Sequence, residues 1–181
     1  MKLGQTVGIV IGSLLAILVA ITFILPDEVP QSRTETLCAP QETVFTHFND
    51  LEKLSKWSSL VGAEALERQY EGTVGAGAQV RLLDDRDRWI AIEITDSRAP
   101  DAVDYHFSTH EDVNSRASVV LAATSANTDV TVRVVQEFRT LPGRWAIVFI
   151  RSAIDEFLRE ELGRLASVMD ELGHACPVTE H

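Results

Sequence analysis

The middle of the chain alternates apolar and polar residues with a period of two, which restricts it to β-structure. Apolar side chains occupy every second position over residues 78–82, 90–95, 103–108, 117–121 and 130–134. Successive side chains of a strand point to opposite faces, so each segment predicts a half-buried strand. Clusters rich in Asp, Ser and Asn separate the segments, and the sequence therefore predicts an antiparallel meander.

Helical patterns flank the meander on both sides. A strand is predicted over residues 32–39, and Pro40 then stands where a helix begins, because proline suits a first helical turn. Apolar residues at helical spacing follow it and recur over 51–57. After the meander, residues 144–172 carry one broad apolar face, and Gly173 stands at the expected C-cap. A face of this width is typical of a helix that lies across a sheet.

An uncharged apolar run covers residues 7–25. A hydrocarbon core of ~30 Å needs about 20 helical residues, so this run predicts a transmembrane helix. A cleaved signal is the alternative, but the run is longer than a signal core and residues 20–26 offer no small-x-small cleavage site. We therefore expect an uncleaved anchor.

The orientation of the anchor depends on few charges, since Lys2 precedes the run and Arg33 follows it. A short N-terminal tail beside Lys2 favours a cytoplasmic N-terminus. This predicts a single-pass protein of the bacterial inner membrane with its domain on the periplasmic side. The opposite orientation stays open.

Small residues recur at every fourth position of the apolar run and form one stripe, at Gly4, Gly8, Gly12, Ala16 and Ala20. Such a stripe allows two helices to pack closely and predicts a possible homodimer. The alternative is that glycine and alanine are simply common in membrane helices.

The remaining chain has the length of one domain. The predicted division is a tail at 1–6, the transmembrane helix at 7–25, a linker at 26–31, the domain at 32–176 and a tail at 177–181. A formal net charge of −11 without a basic cluster excludes a nucleic-acid-binding function. Two cysteines, Cys38 and Cys176, are too few for a zinc knuckle, which leaves either one disulfide or two thiols.

Several short stretches resemble the START-like superfamily, also called the SRPBCC or polyketide cyclase and lipid transport group. Residues 39–45 (APQETVF) are similar to the start of its first helix, and residues 49–58 (NDLEKLSKWS) to its second. The glycine-rich stretch 70–78 is similar to the turn between its second and third strands, and Leu162 and Leu165 fit its last helix.

The resemblance implies an α+β helix-grip fold, in which a curved antiparallel sheet of about seven strands wraps a long C-terminal helix around a cavity. It also implies that Cys38 lies near the end of that helix, which favours a disulfide with Cys176. The function implied is binding of a small hydrophobic ligand, lipid- or isoprenoid-like, beside the membrane. A cyclase- or hydrolase-type enzyme using the same cavity and a membrane-tethered interaction module without ligand are the alternatives.

Polar residues in phase with the predicted cavity face are candidates for ligand binding, and they are Arg68, Tyr70, Tyr105 and Gln136. Trp57 is a candidate for the cavity entrance. The alternative is that Arg68 lies on an edge strand facing water and that the aromatic residues belong to the core.

Other patterns do not predict chemistry. His106 and His110 lie ~13 Å apart on a strand, too far to share a metal. The glycine-rich stretch precedes a strand and predicts a turn, while the acidic cluster at 84–87 predicts a solvated hairpin tip. No nucleophile motif is visible, and we expect no metal and no cofactor.

Overall fold

The computed structural model describes seven stretches of the chain. They are residues 28–63, 66–84, 86, 88–109, 114–125, 127–137 and 147–174. The predicted transmembrane helix and its small-residue stripe lie outside these stretches. Among the helices that are described, none is long and apolar enough to cross a membrane.

Seven antiparallel strands form one sheet in the order β1-β7-β6-β5-β4-β3-β2. Strands β2 to β7 pair with their neighbours in chain order, and β1 closes the far edge against β7. The predicted meander is therefore confirmed. The strands are β1 (Glu28–Leu37), β2 (Glu67–Glu71), β3 (Gln79–Leu83), β4 (Trp89–Arg98), β5 (Ala102–Thr109), β6 (Asn114–Thr124) and β7 (Asn127–Glu137).

The first strand begins earlier than the sequence predicts. Residues 28–31 were expected in a linker, but Glu28 pairs with Glu137 and the ladder continues without a break to Leu37. Pro30 is compatible with this arrangement because β1 is an edge strand with a neighbour on one side only. Residues 28–31 therefore belong to β1.

Three short helices and one long helix complete the fold. They are α1 (Gln41–Asn49), α2 (Leu51–Trp57), α3 (Ser59–Gly62) and α4 (Ile147–Glu171). Asp50 separates the first two, since its carboxylate accepts hydrogen bonds from the backbone N–H groups of Glu52 and Lys53 and caps α2. The one-turn helix α3 was not predicted, because four residues are too few for a periodic pattern.

Helix α4 packs across the sheet on β1 and against α2. Among its described side chains, the buried apolar ones are Leu158, Leu162, Leu165 and Met169, which join one core cluster with the inward residues of the strands. Each such side chain contributes about 1.5–3 kcal/mol when fully buried. The predicted helix-grip arrangement of a seven-stranded sheet and a C-terminal helix is confirmed.

The glycine-rich stretch forms a turn, as predicted, and it contacts the helical layer. Gly72, Gly75 and Gly77 have φ values of 72°, 79° and 87°, a left-handed conformation that glycine adopts without a steric cost. The Leu51 N–H donates to the carbonyl of Thr73 at 2.8 Å. The turn thereby ties β2 and β3 to the start of α2.

The C-terminal end of α4 is closed at the glycine that the sequence singles out. Gly173 has a φ of 87°. The His174 N–H donates to the Met169 carbonyl and the Gly173 N–H to the Asp170 carbonyl, both at 3.0 Å. This pair of bonds is the Schellman motif, which satisfies the last carbonyls of a helix.

Two alanine substitutions on this helix should have opposite effects. Gly173→Ala places a Cβ in a left-handed conformation and should lower the free energy of unfolding by about 1 kcal/mol. Gly163→Ala should raise it by about 0.5–1 kcal/mol, because Gly163 is an exposed helical residue whose added Cβ meets no atom within 4 Å. Urea denaturation of the full chain in detergent measures both, and equal signs would contradict the assignment of the cap.

Candidate functional site

An apolar cavity of about 100 Å³ lies between the sheet, the short helices and α4. Its floor is built from inward residues of β5, β6 and β7, among them Ala117 and Val132. Leu158 and Leu162 form the wall on α4, and Phe48 and Leu54 form the wall on the short helices. Strand alternation determines which side chains reach the floor, and the face in phase with Val132 is the one predicted.

Polar side chains are rare in this cavity. Ser58 lies at the α2–α3 junction, where Glu161 bonds the next residue, and Tyr105 lies on β5. The polar lining residues are Ser58, Tyr105 and Glu161. Glu161 is only 7% exposed, and a buried carboxylate requires partners. Its Oε1 accepts from the Ser59 hydroxyl at 2.5 Å and from the Ser59 N–H at 2.9 Å. The carboxylate thus joins α4 to the first residue of α3.

Glu161 was not among the predicted site residues, although its spacing carried a signal. It follows Leu158 by three positions and precedes Leu165 by four, so it shares the buried face of α4. A charged residue within an apolar helix face is the feature that would have identified it. Arg164 lies beside it, with Nε 4.0 Å from Oε1.

Tyr105, a candidate for ligand binding, lines the cavity, but its hydroxyl proton already has a partner within the core. The hydroxyl donates to the Phe48 carbonyl at 2.5 Å, which is one of the last carbonyls of α1 and has no partner within that helix. Burial raises the pKa of Tyr105 above its ordinary value. The residue therefore serves as a structural tie between β5 and α1.

Trp57 also lines the cavity, and it is buried. Its ring packs edge-on against Phe48 with centroids 5.4 Å apart, and its Nε1 donates to the His47 carbonyl at 3.4 Å. These contacts belong to the core of the helical layer.

The other predicted ligand-binding residues lie outside this cavity. Arg68 donates to the carbonyls of Val61 at 2.7 Å and Ala63 at 3.0 Å, and so holds the end of α3. Tyr70 lies on the edge strand β2 and is 36% exposed. Gln136 accepts from the Ser115 hydroxyl at 2.6 Å. Alternation predicted their face of the sheet correctly, but the cavity occupies only part of that face.

The structure describes some of the histidine and aspartate residues for which we expect no metal binding. His106 lies half-buried on β5, whereas His110 is outside the described residues. Asp84 accepts from the backbone N–H groups of Arg86 and Arg88 in the β3–β4 hairpin, and Asp85 and Asp87 are not described. Within the described stretches, no three acidic, histidine or cysteine side chains are grouped to hold a metal ion.

Cys38 lies between β1 and α1 and is disulfide-bonded. The second cysteine of the chain, Cys176, lies outside the described residues. The predicted pairing of the two therefore stays a prediction.

Residues 31–170 match the model of the family described as "Polyketide cyclase / dehydrase and lipid transport". No curated protein matches the sequence.

Solved structures resemble the fold at low sequence identity. A protein from Rhodobacter sphaeroides has a TM-score of 0.58 and 13% identity over 79% of this chain and 93% of its own. A protein from Arthrobacter aurescens has a TM-score of 0.57 and 18% identity over 84% and 92%. DynU16, from the dynemicin biosynthetic locus, has a TM-score of 0.54 and 16% identity over 80% of this chain. The chain spans 48% of DynU16, and these similarities show the fold alone.

Replacement of Tyr105 should change how stability depends on pH. The folded protein holds its pKa above the unfolded value of about 10, so its contribution is complete below pH 10 and is lost as the pH rises above it. Tyr105→Phe should cost about 1–2 kcal/mol at neutral pH, because the Phe48 carbonyl loses its partner. It should also reduce the decline of the unfolding free energy above pH 10.

Urea denaturation between neutral pH and pH 11.5 measures both effects. Tyr70→Phe is the matched control, since Tyr70 is the chain's other tyrosine and is partly exposed. It should shift the unfolding free energy by less than about 0.5 kcal/mol. An unchanged alkaline slope in Tyr105→Phe would contradict the role of the buried hydroxyl.

Proposed function

Because the chain belongs to the polyketide cyclase / dehydrase and lipid transport family, we propose that it binds a small hydrophobic ligand in the cavity beneath α4. The observation that carries this proposal is the cavity itself, whose lining is apolar except for Ser58, Tyr105 and Glu161. Apolar walls with a few placed polar groups are the general form of a small-molecule site.

The size of the cavity limits what enters it. A volume of about 100 Å³ is below the ~300–1,000 Å³ of sites that enclose drug-sized ligands. It suits one small aromatic ring system or the end of an acyl or isoprenoid chain. Phe157, which is 38% exposed, and the half-buried Leu60 on α3 lie at its margin. A longer ligand would extend past these two apolar side chains.

We further propose that residues 7–25 anchor the domain to the inner membrane, with the domain on the periplasmic side. Since β1 already includes Glu28, at most two residues, 26 and 27, would separate the anchor from the sheet. Two extended residues span about 7 Å. The domain would be held against the lipid surface, from which an apolar ligand can pass to the cavity without crossing much water.

An enzyme of cyclase or hydrolase type is the second candidate. Glu161 favours it, because a buried carboxylate beside an apolar cavity can accept a proton from a bound substrate. Once a ligand is identified, Glu161→Gln distinguishes the enzyme from the carrier. An enzyme would convert the ligand and lose that activity in the variant, whereas a carrier would not convert the ligand in either form. The third candidate, an interaction module that dimerises through Gly4, Gly8, Gly12 and Ala16, concerns residues outside the described stretches.

Filling the cavity should weaken ligand binding. Ala117 lines its floor on β6, so Ala117→Phe should weaken binding of naphthalene by about tenfold or more and remove any apolar molecule that co-purifies. Ala122→Phe is the matched control, since Ala122 is an exposed residue of the same strand. Titration and native mass spectrometry of the full chain in detergent measure the effect. Equal binding by both variants would contradict the proposed site.

The membrane orientation can be tested through the two cysteines. If the domain is periplasmic, Cys38 and Cys176 should resist alkylation in acid-trapped cells until a reductant is added. Mass spectrometry of the alkylated chain measures this, and Cys176→Ser should expose one reactive thiol. Two thiols that react before reduction would contradict the periplasmic placement.

Deletion of residues 7–25 should release the chain from carbonate-washed membranes.

A further inference from the structure

We infer that the cavity selects apolar ligands that carry a hydroxyl group, an alcohol or a phenol, and rejects carboxylates. This inference rests on the proposed function, since it assigns the ligand class of the same cavity. Glu161 and Ser58 are the two side chains that recognise the hydroxyl.

The carboxylate of Glu161 retains an unused acceptor. Its Oε1 receives both short hydrogen bonds from Ser59, at 2.5 and 2.9 Å. Among the described residues, its Oε2 receives only a longer contact of 3.2 Å, from the same Ser59 N–H. A carboxylate offers about four lone-pair positions, so Oε2 can accept a further hydrogen bond. Glu161 lines the cavity, and a ligand bound there can supply the donor.

Ser58 provides a second unsatisfied group at the same end of the cavity. It is 6% exposed and lines the wall. Its backbone N–H donates to the Leu54 carbonyl and its carbonyl accepts from the Gly62 N–H. Its hydroxyl, however, does not cap α3 and has no hydrogen bond within the described part of the chain. Buried hydroxyl groups normally have partners, and a bound ligand would provide one.

A ligand hydroxyl satisfies both groups at once, because it donates to Glu161 and accepts from Ser58. A carboxylate ligand brings a second negative charge beside Glu161, which desolvation makes unfavourable. A ketone can accept from Ser58 but leaves Glu161 without a donor. An ammonium group can donate to Glu161 but offers Ser58 no acceptor. Of these headgroups, the hydroxyl alone matches both side chains.

The test uses three probes of one ring system: naphthol, naphthoate and naphthalene. The full chain and its variants are titrated in the same detergent, and each affinity is corrected for the measured partition of that probe into protein-free micelles. Wild-type protein should bind naphthol about tenfold more tightly than it binds naphthoate, which corresponds to one hydrogen bond to a charged group.

Glu161→Gln separates acceptor chemistry from structure. The amide oxygen keeps the bonds from Ser59, but the amide nitrogen replaces the free acceptor with a donor. Naphthol should therefore bind about tenfold more weakly, naphthoate more tightly, and naphthalene within about twofold of wild type. Ser58→Ala should weaken naphthol binding about threefold or more without changing naphthalene binding.

Ser55→Ala is the control, since Ser55 lies on α2, does not line the cavity and bonds the Glu52 carbonyl. It should leave all three affinities unchanged. The inference would be overturned if both Glu161→Gln and Ser58→Ala kept the preference of the wild-type protein for naphthol over naphthoate. It would also be overturned if the wild-type protein bound naphthol and naphthoate equally well. In either case, the proposed binding of an apolar ligand would remain supported. If none of the three probes binds, the proposed function fails and the inference fails with it. If Glu161→Gln does not fold, the affinities of Ser58→Ala alone test the inference.

Discussion

The burial of one face of α4 against the sheet is the interaction on which the rest of the structure depends. Leu158, Leu162, Leu165 and Met169 are buried there, and together they contribute on the order of 6–12 kcal/mol, as much as the whole stability of a typical domain. The short helices α1 to α3 fill the remaining edge of this layer. The contacts of α2 with α4 help to set their positions.

The cavity and its polar end follow from the same packing. Where α4 and the short helices do not fill the concave side of the sheet, an apolar space remains. Glu161 lies on the buried face of α4 and would be costly there without the two donors of Ser59. The contact that secures α3 to α4 thus also leaves one carboxylate oxygen beside the cavity. Glu161 therefore has a structural role and, in the proposed site, a role in ligand recognition.

The early start of β1 changes the relation between sheet and membrane. With Glu28 already paired to Glu137, the proposed anchor would be followed almost at once by an edge strand. An edge strand held by ten paired residues would restrict how far the domain can move from the bilayer. The hydrophobic-ligand proposal and the anchor proposal each have their own test.

Periodicity in the sequence determined the strands, the long helix, its glycine cap and the face of the sheet that is buried, because these depend on residues close together in the chain. Tertiary structure alone decided which residues of that face reach the cavity. Arg68, Tyr70 and Gln136 have the right phase but lie elsewhere on the sheet. Glu161 and Ser59 are 102 residues apart, and local spacing carries no information about such a contact. Pairing over that distance arises only when the sheet, the short helices and α4 pack together.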